Sequence, residues 1–210
     1  MGLEIREGNF GEYWGNTYDS SNALNLEQEK INATYIYQSL TEKGWTINAI
    51  AGILGNMQSE SSINPGRWES DRVGGEAERH GYGLVQWTPY TKYTNWVSGD
   101  ASTMDNNISR IIYEVENNLQ WIATSSYNFS FKQFTQSTDS AYNLALAFLA
   151  NYERPADPNQ PIRGTQAEFW YTFLGRSSDF KKAKKRIQLV SIYKNNKTKK
   201  RYIKNISFYS

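Results

Sequence analysis

Apolar residues recur at spacings of three and four from residue 25 onward, which is the period of an amphipathic helix. Asn25 with Gln28 three residues later has the form of a capping box, so the sequence predicts a helix that begins here. Gly44 supplies the residue that commonly ends a helix. The predicted buried face of this first helix consists of Ile31, Tyr35, Ile36 and Leu40.

A second helix is predicted to begin at Thr46 and to carry a continuous apolar stripe. The stripe consists of Ile47, Ile50, Ile53, Leu54 and Met57. One further step of three residues past Met57 reaches Glu60. The pattern therefore places a carboxyl group on the apolar face at the helix end, where a surface glutamate is not expected.

Residues 62–92 are interrupted by turn-forming residues, among them Asn64-Pro65-Gly66, Gly74-Gly75, Gly81 and Gly83. Between the turns lie short Tyr-, Val- and Trp-containing runs, which favour a small β-hairpin or three-stranded sheet. Residues 1–24 show no sustained periodicity and are predicted to form an irregular N-terminal arm.

Three later apolar patterns predict further helices, which begin at Asp105, Thr138 and Thr165. The first pattern runs to Leu119 and Ile122, the second to Tyr152, and the last ends at Gly175. The chain is thus predicted to be mostly α-helical with one β excursion. Its predicted parts are an arm at 1–24, a globular domain at 25–176 and a C-terminal extension at 177–210.

The composition excludes several classes of enzyme. The chain has no Cys and one His, His80, which leaves no residues for a thiolate nucleophile or a His-rich zinc site. We expect neither a metal nor an organic cofactor. The high aromatic content, with 7 Trp and 15 Tyr, suits sugar binding as well as core packing.

The chain has neither a run long enough to span a membrane nor an N-terminal pattern typical of a secretory signal. Its net charge of +2 is unevenly distributed. Residues 181–210 hold 11 of the 23 basic residues and no Asp or Glu, so this basic segment carries +11 and the rest of the chain −9. Two alternating runs, 187–193 and 202–209, fit either a hairpin or a disordered end.

Glu60 has the setting that glycoside hydrolysis requires. That reaction needs a carboxyl group that keeps its proton near neutral pH, and burial against apolar groups is the simplest way to provide one. The negative end of the helix dipole acts in the same direction. The alternative is a glutamate in a last helical turn that faces water or pairs with an arginine.

Three separated blocks of sequence resemble the phage tail lysozyme family, which includes the tail-tip glycosidase domain of small Bacillus podoviruses. The blocks are GNMQSESSINPG at 55–66, GYGLVQWTP at 81–89 and NYERP at 151–155. The likeness spans about residues 26–175. It implies a lysozyme-like α+β fold, mostly α, with a small β-hairpin lobe and a substrate cleft.

The resemblance also implies roles for individual residues. Glu60 would be the general acid, and Gln86 would hydrogen-bond the sugar or position Glu60. Tyr82 and Trp87 would shape the sugar subsites. Asn151 and Tyr152 stand where related transglycosylases carry an Ala-Tyr-Asn-like motif, although the order here is Ala-Asn-Tyr. Glu153 and Arg154 fit, as an alternative, an ion pair between the last helices.

A second carboxylate is expected on the segment after the helix that ends at Glu60. The candidates there are Glu69, Asp71, Glu76 and Glu78. Inverting and retaining glycosidases both use two carboxyl groups, at different separations. Asp71 is the preferred candidate, because lysozymes often carry the second acid on the β element after that helix. His80 in the same loop is expected to be an exposed residue or a substrate contact.

The predicted function is cleavage of the β-1,4 bond between N-acetylmuramic acid and N-acetylglucosamine in peptidoglycan, by a protein of the phage tail. Three alternatives remain open: a lytic transglycosylase that forms 1,6-anhydro products, a non-catalytic tail or wall-binding module, and an endolysin. Expected partners are peptidoglycan strands and other tail proteins. The basic segment could bind anionic wall polymers or phage DNA, or serve as a connector or unstructured end.

Overall fold

The computed structural model describes residues 3–10, 13–69 and 80–176. Apart from the last four residues of α7, the elements that position the site lie in the compact unit Met1–Thr172. In chain order they are β1 (Glu4–Phe10), β2 (Tyr13–Asp19), α1 (Leu26–Glu42), α2 (Ile47–Ser61), α3 (Thr91–Thr94), α4 (Met104–Glu116), α5 (Phe131–Gln136), α6 (Ala141–Phe148), a π-helical turn (Leu149–Glu153) and α7 (162–176). The prediction of a mostly α-helical α+β fold is confirmed.

The two first helices begin where their capping residues predict. The Asn25 side chain accepts from the backbone N–H of Gln28, and the Gln28 side chain accepts from the backbone N–H of Asn25, which completes the capping box. Thr46 caps α2 by accepting from the backbone N–H of Ala49 at 3.1 Å. Gly44 adopts the left-handed conformation, with φ of 79°, directly after α1.

The apolar stripe of α2 forms the centre of the core. Ile50, Ile53, Leu54 and Met57 have no exposed surface, and α2 packs against α1 and α6. On α1 the prediction is confirmed for Tyr35, Ile36 and Leu40 but is wrong for Ile31, which is 40% exposed. Ile31 lies at the edge of the buried face, since α1 is covered on one side by β2 and α2.

The segment predicted as an irregular arm forms a two-stranded antiparallel sheet, so that prediction is wrong. β1 pairs with β2 from Glu4–Asp19 to Phe10–Tyr13, with Gly8 opposite Gly15. Gly8 makes room for the ring of Tyr35 on α1, because a Cβ on Gly8 would lie 2.7 Å from that ring. The Tyr35 hydroxyl donates to Asp105 at 2.6 Å. The hairpin thus packs on the helical core.

The β excursion predicted within 62–92 forms no full strand in its described parts, 62–69 and 80–92. These hold two isolated bridges, Trp68–Tyr82 and Tyr82–Trp87, and the short helix α3. The aromatic side chains pack on one another instead of pairing strands, with the rings of Trp87 and Tyr93 stacked at 4.5 Å. The β structure of the described chain is therefore the N-terminal hairpin.

The later helices exist, but their starting residues differ from those predicted. Thr103, not Asp105, caps α4, and Asp105 accepts hydrogen bonds from Tyr35 and from the backbone of Asn9. Ser140 rather than Thr138 caps α6, and α7 is already helical at residue 162 rather than 165. Because α4 ends at Glu116, Leu119 and Ile122 lie outside it and are exposed.

The six-residue helix α5, which the sequence pattern did not predict, belongs to an aromatic cluster beside the π-helical turn. Its Phe131 and Phe134 pack with Trp121 and with Phe148 of α6. The ring of Phe148 stacks on that of Tyr152 at 4.4 Å, so this aromatic cluster positions the π-helical turn.

The predicted hairpin of the basic segment lies outside the described residues. Within the described chain, no helix is long and apolar enough to cross a membrane.

Candidate active site

An open cleft of about 680 Å³ lies beside the C-terminal end of α2. Its walls come from the end of α2, the loop around residues 85–88, and the π-helical turn with the residues after it. The lining residues are Glu60, Arg67, Glu69, Val85, Gln86, Trp87, Thr88, Lys92, Gln120, Tyr152, Glu153, Arg154, Pro155 and Ala156. Charges of both signs therefore face the space in which a polar ligand would lie.

Glu60 lies in the last turn of α2, where the chain changes direction abruptly. Ser62 and Ile63 follow it with φ angles of 56° and 52°, which are unusual for residues other than glycine and especially for a β-branched one. Asn64 stabilises this turn by donating to the carbonyls of Ser20 and Asn22 at 2.7 Å. The chain thus leaves α2 one residue after Glu60, whose side chain lines the cleft.

Arg163 of α7 forms an ion pair with Glu60, with 2.6 Å between Arg163 Nη2 and Glu60 Oε1. The arginine side chain is 7% exposed and that of Glu60 is 21% exposed. Arg163 also donates to the side chains of Gln160 at 2.7 Å and Asn56 at 3.3 Å, which fix its position. The alternative pairing of Glu60 with an arginine is therefore present, but inside the cleft wall rather than on the surface.

The close packing of α7 on α2 makes this ion pair geometrically possible. At Gly55 the two backbones approach so closely that an added Cβ would lie 2.4 Å from the carbonyl oxygen of Arg163 and 2.8 Å from the backbone nitrogen of Ala167. Trp170 adds a hydrogen bond to Gln58 at 3.0 Å. α7 is thereby held against the last two turns of α2.

Glu153 is a second carboxyl group in the cleft wall, on the last residue of the π-helical turn. Its Oε1 atom is buried and has no hydrogen-bond partner among the described residues. Burial raises the pKa of Glu153 well above its ordinary value, the negative charge of Glu60 raises it further, and the positive charge of Arg163 opposes the rise. Glu153 therefore keeps its proton to a higher pH than an ordinary glutamate.

Glu114 of α4 is a third buried carboxyl group, and it holds two cleft residues in place. It accepts hydrogen bonds from Trp87 Nε1 at 3.0 Å, the Tyr152 hydroxyl at 2.5 Å and Arg110 Nε at 2.9 Å. Burial raises the pKa of Glu114, and its hydrogen bonds and the charge of Arg110 oppose the rise. Its three donors leave Glu114 no free role in the cleft, so its function is structural support.

Gln86 lines the same cleft as Glu60, and its side-chain nitrogen is engaged within its own loop. Nε2 donates to the carbonyls of Arg67 at 3.1 Å and Gly83 at 3.0 Å. The residue adopts a left-handed backbone conformation, with φ of 49°. These bonds hold the loop in the shape that forms one cleft wall.

Two other predicted substrate residues lie apart from the cleft lining. The Asn151 side chain is fully buried, accepts from Thr124 and donates to the carbonyl of Tyr127, so it secures the loop at 124–127. Tyr82 lines a separate pocket of about 430 Å³ near the hairpin, and its ring packs beside Trp68. Trp87 and Tyr152, by contrast, reach the cleft together with Glu60.

Of the four candidate second carboxylates, the described residues include Glu69 alone. Asp71, Glu76 and Glu78 lie outside the described residues. Glu69 lines the cleft and accepts from the backbone N–H of Gly81 at 2.8 Å, while His80 Nδ1 lies 3.9 Å from its carboxylate.

The alternative ion pair between Glu153 and Arg154 does not occur. The Arg154 guanidinium donates instead to the backbone carbonyls of Gln120 and Asn151, because Arg154 is in a left-handed conformation that turns it away. Across the described ranges, no group of three His, Asp or Glu side chains is arranged to hold a metal ion.

Comparison with known proteins identifies the family of the chain. The family model described as phage tail lysozyme matches residues 31–174. The chain belongs to the phage tail lysozyme family. Its relatives include Morphogenesis protein 1 of Bacillus phage B103, which is 51% identical over 165 residues. That alignment covers 77% of this chain and 44% of the relative, so the chain spans less than half of that protein's length.

The sequence patterns did not reveal the supporting charges of the site. Arg163 lies more than one hundred residues from Glu60 and carries no local motif, and Glu114 follows an apolar stripe that by itself predicts only helix packing. A signal for Glu153 was present, since it lies inside the third block of the family resemblance. Its burial depends on the π-helical turn, which the sequence pattern does not reveal.

Proposed function

We propose that this chain is a phage tail-associated peptidoglycan hydrolase that cleaves the β-1,4 bond between N-acetylmuramic acid and N-acetylglucosamine, with Glu60 as general acid. Its action would open the host cell wall so that phage DNA can enter. The observation that carries the proposal is the position of Glu60. It lies at the strained end of a buried helix, faces an open polar cleft, and belongs to a chain of the phage tail lysozyme family.

The shape and lining of the cleft support a sugar polymer as the ligand. The space is open at its surface and polar, and Trp87 and Tyr152 line it with only 2% and 1% of their surface exposed, so they form its floor. An open cleft with fixed polar groups suits a hydroxyl-rich ligand such as a sugar. We assign substrate contacts to Gln86, Trp87 and Tyr152 in the cleft, with Tyr82 and Asn151 acting through the neighbouring loops.

Asp71, two positions after Glu69 in the sequence, is proposed as the residue that completes the reaction, as base or nucleophile. The expected consequence is that Asp71→Asn loses most of the activity while the protein stays folded. If Asp71→Asn instead keeps the wild-type rate, the attack on the sugar carbon does not need this carboxylate. An attack by the N-acetyl group of the substrate or by its own 6-hydroxyl would then replace it.

The proposed place of action is the virion, with peptidoglycan strands and other tail proteins as partners. This follows from the family and from the relative in Bacillus phage B103, whose name denotes a morphogenesis protein. The basic segment at 181–210 would add attraction to anionic wall polymers. Sedimentation with purified walls before and after removal of teichoic acids tests that attraction.

The reaction itself is tested by digesting purified Gram-positive peptidoglycan and analysing the soluble fragments by mass spectrometry after borohydride reduction. Fragments with reducible muramic acid ends are expected, which identifies hydrolysis of the predicted bond. Products lighter by one water, with anhydro ends, would reassign the chain as a lytic transglycosylase. If no fragments are released while the protein sediments with the wall, the catalytic proposal fails and the chain is a wall-binding module.

A further inference from the structure

A second pocket adjoins the segment 66–69 that forms part of the cleft wall. Gly66 and Trp68 line this pocket, whereas Arg67 and Glu69, which alternate with them, line the cleft. The two spaces share no described residue, so the segment separates them. The pocket has a volume of about 430 Å³, and small-molecule sites typically measure about 300–1,000 Å³. It is therefore distinct from the candidate active site and large enough for a ligand.

Arg6 of β1 fixes the charged wall of this second pocket. Its guanidinium lies 2.6 Å from a carboxylate oxygen of each of Glu4, Asp19 and Asp100. These contacts join the hairpin to the loop before α4, and negative charge remains on the wall because three carboxylates face one guanidinium. The hairpin precedes residues 31–174, which the family model matches, so family membership alone does not assign this pocket.

Tyr82 presents an unused hydroxyl group to the second pocket. The residue is 6% exposed, and its hydroxyl makes no hydrogen bond within the described residues. Burial raises the pKa of Tyr82, and the negative charges of Asp100 and Asp19, which line the same pocket, raise it further. The hydroxyl therefore lies on the pocket side of the ring and keeps its proton. Because the hydroxyl of a buried tyrosine usually has a partner, this one is available to a ligand.

Trp68 adds a fixed aromatic surface to the same pocket. It is partly exposed, and its ring packs against Tyr82 at 4.7 Å and Tyr90 at 5.1 Å. Its indole nitrogen, like the Tyr82 hydroxyl, makes no hydrogen bond within the described part of the chain. A flat apolar ring with a free polar tip is suited to lie on the face of a sugar.

We propose that the second pocket binds an uncharged sugar unit of a cell-wall glycan, with Trp68 against the sugar face and the Tyr82 hydroxyl as a hydrogen-bond donor. The negative wall accepts hydrogen bonds from sugar hydroxyls and repels phosphates and carboxylates. Arg6 already lies between the carboxylates, in the place that a ligand cation would need. The pocket goes beyond the proposed cleavage, since it holds the protein on the wall whether or not a bond is cut.

Nitrogen-15 NMR of the indole N–H groups in the full chain tests the proposal. The Trp68 signal is identified by its loss in Trp68→Phe. Titration of wild type with a tetramer of N-acetylglucosamine, which lacks the muramic acid bond and stays intact, should move this signal to saturation. Glycerol phosphate and the diamine cadaverine, as anionic and cationic probes, should leave it in place. The proposal is overturned if the sugar gives no saturable shift or if cadaverine gives an equal one.

Tyr82→Phe tests the hydrogen bond with the smallest possible change. The sugar concentration at half-saturation of the Trp68 signal should rise about fivefold, which corresponds to the loss of one hydrogen bond. Stability against urea should not fall, because the hydroxyl has no partner within the described residues. Tyr113→Phe, on the exposed side of α4, is the matched control and should behave as wild type. An unchanged half-saturation in Tyr82→Phe, or a marked loss of its stability, would overturn the assigned contact.

Failure of this inference is distinguishable from failure of the proposed function. The NMR titration needs no turnover, so a saturable Trp68 shift in a protein that releases no fragments leaves the second pocket assigned and removes the hydrolase proposal. Fragment release without any Trp68 shift gives the reverse result. Repeating the titration with peptidoglycan fragments and with neutral polysaccharide from the same walls identifies which of the two supplies the sugar.

Discussion

Arg163 and Glu60 meet at 2.6 Å in the cleft wall, although 103 positions separate them in the chain. The contact depends on α7 packing closely against the end of α2. It places a buried positive charge directly against the Glu60 carboxylate. The surroundings of Glu60 therefore depend on a helix outside the motif that identifies it.

Replacing Arg163 tests the contribution of this charge to stability. Arg163→Met keeps the apolar stem but leaves the Glu60 carboxylate without its ionic partner. Because the pair is largely shielded from water, we expect the free energy of unfolding to fall by about 2 kcal/mol. Urea denaturation measures this change. Lys132→Met, on the exposed side of α5, is the matched control and should change stability by less than about 0.5 kcal/mol.

Replacing Glu114 tests the support beneath the cleft. Glu114→Gln offers one acceptor oxygen where the carboxylate accepts from Trp87, Tyr152 and Arg110, so a buried donor is left without a partner. A loss of about 2 kcal/mol in the free energy of unfolding is expected. Glu116→Gln removes an exposed carboxylate from the same helix and should have little effect. Equal stability of the two variants would show that the Glu114 network contributes nothing.

Gly55→Ala tests the close packing between α2 and α7. The added methyl group would lie 2.4 Å from the carbonyl oxygen of Arg163, so α7 has to move outward. We expect a loss of about 2 kcal/mol in stability, despite the better helix propensity of alanine. Displacement of Arg163 should also reduce the rate of fragment release by about tenfold. Wild-type stability and rate in this variant would rule out the tight contact.

The pH dependence of stability gives a separate test of the buried Glu153. Its raised pKa in the folded protein means that the folded state binds the proton more tightly than the unfolded state. Its contribution to stability is therefore present at low pH and is lost as pH rises from the ordinary value of 4.5 through the raised pKa. Glu153→Gln avoids this loss. Urea denaturation should show the variant gaining stability relative to wild type as the pH rises above the ordinary value, and a constant difference would contradict the assignment.

Local signals in the sequence predicted the helices on which the site depends. The caps at Asn25 and Thr46 act through neighbours three residues away, and the stripe that ends at Glu60 repeats within one helix. Such short-range features can be recognised without knowing the fold. They were sufficient to place the carboxyl of Glu60 at the end of a buried helix.

Features that depend on distant contacts could not be predicted in this way. The N-terminal hairpin lacks an alternating apolar pattern, because its pairing is stabilised by Tyr35 of α1 lying over Gly8 and Gly15. In the Gly-rich segment, Trp87 is held by Glu114 and Tyr93 rather than by strand partners. The buried state of Glu153 depends likewise on α4, α2 and α7 together.

The most direct test of the account compares wild type, Glu60→Gln and Glu168→Gln in the release of soluble fragments from purified peptidoglycan. Circular dichroism first establishes that all three proteins are folded. The account predicts that Glu60→Gln releases fragments at least about a thousandfold more slowly than wild type, while Glu168→Gln keeps the wild-type rate. Fragment release by Glu60→Gln at the wild-type rate would contradict the central claim that Glu60 donates the proton.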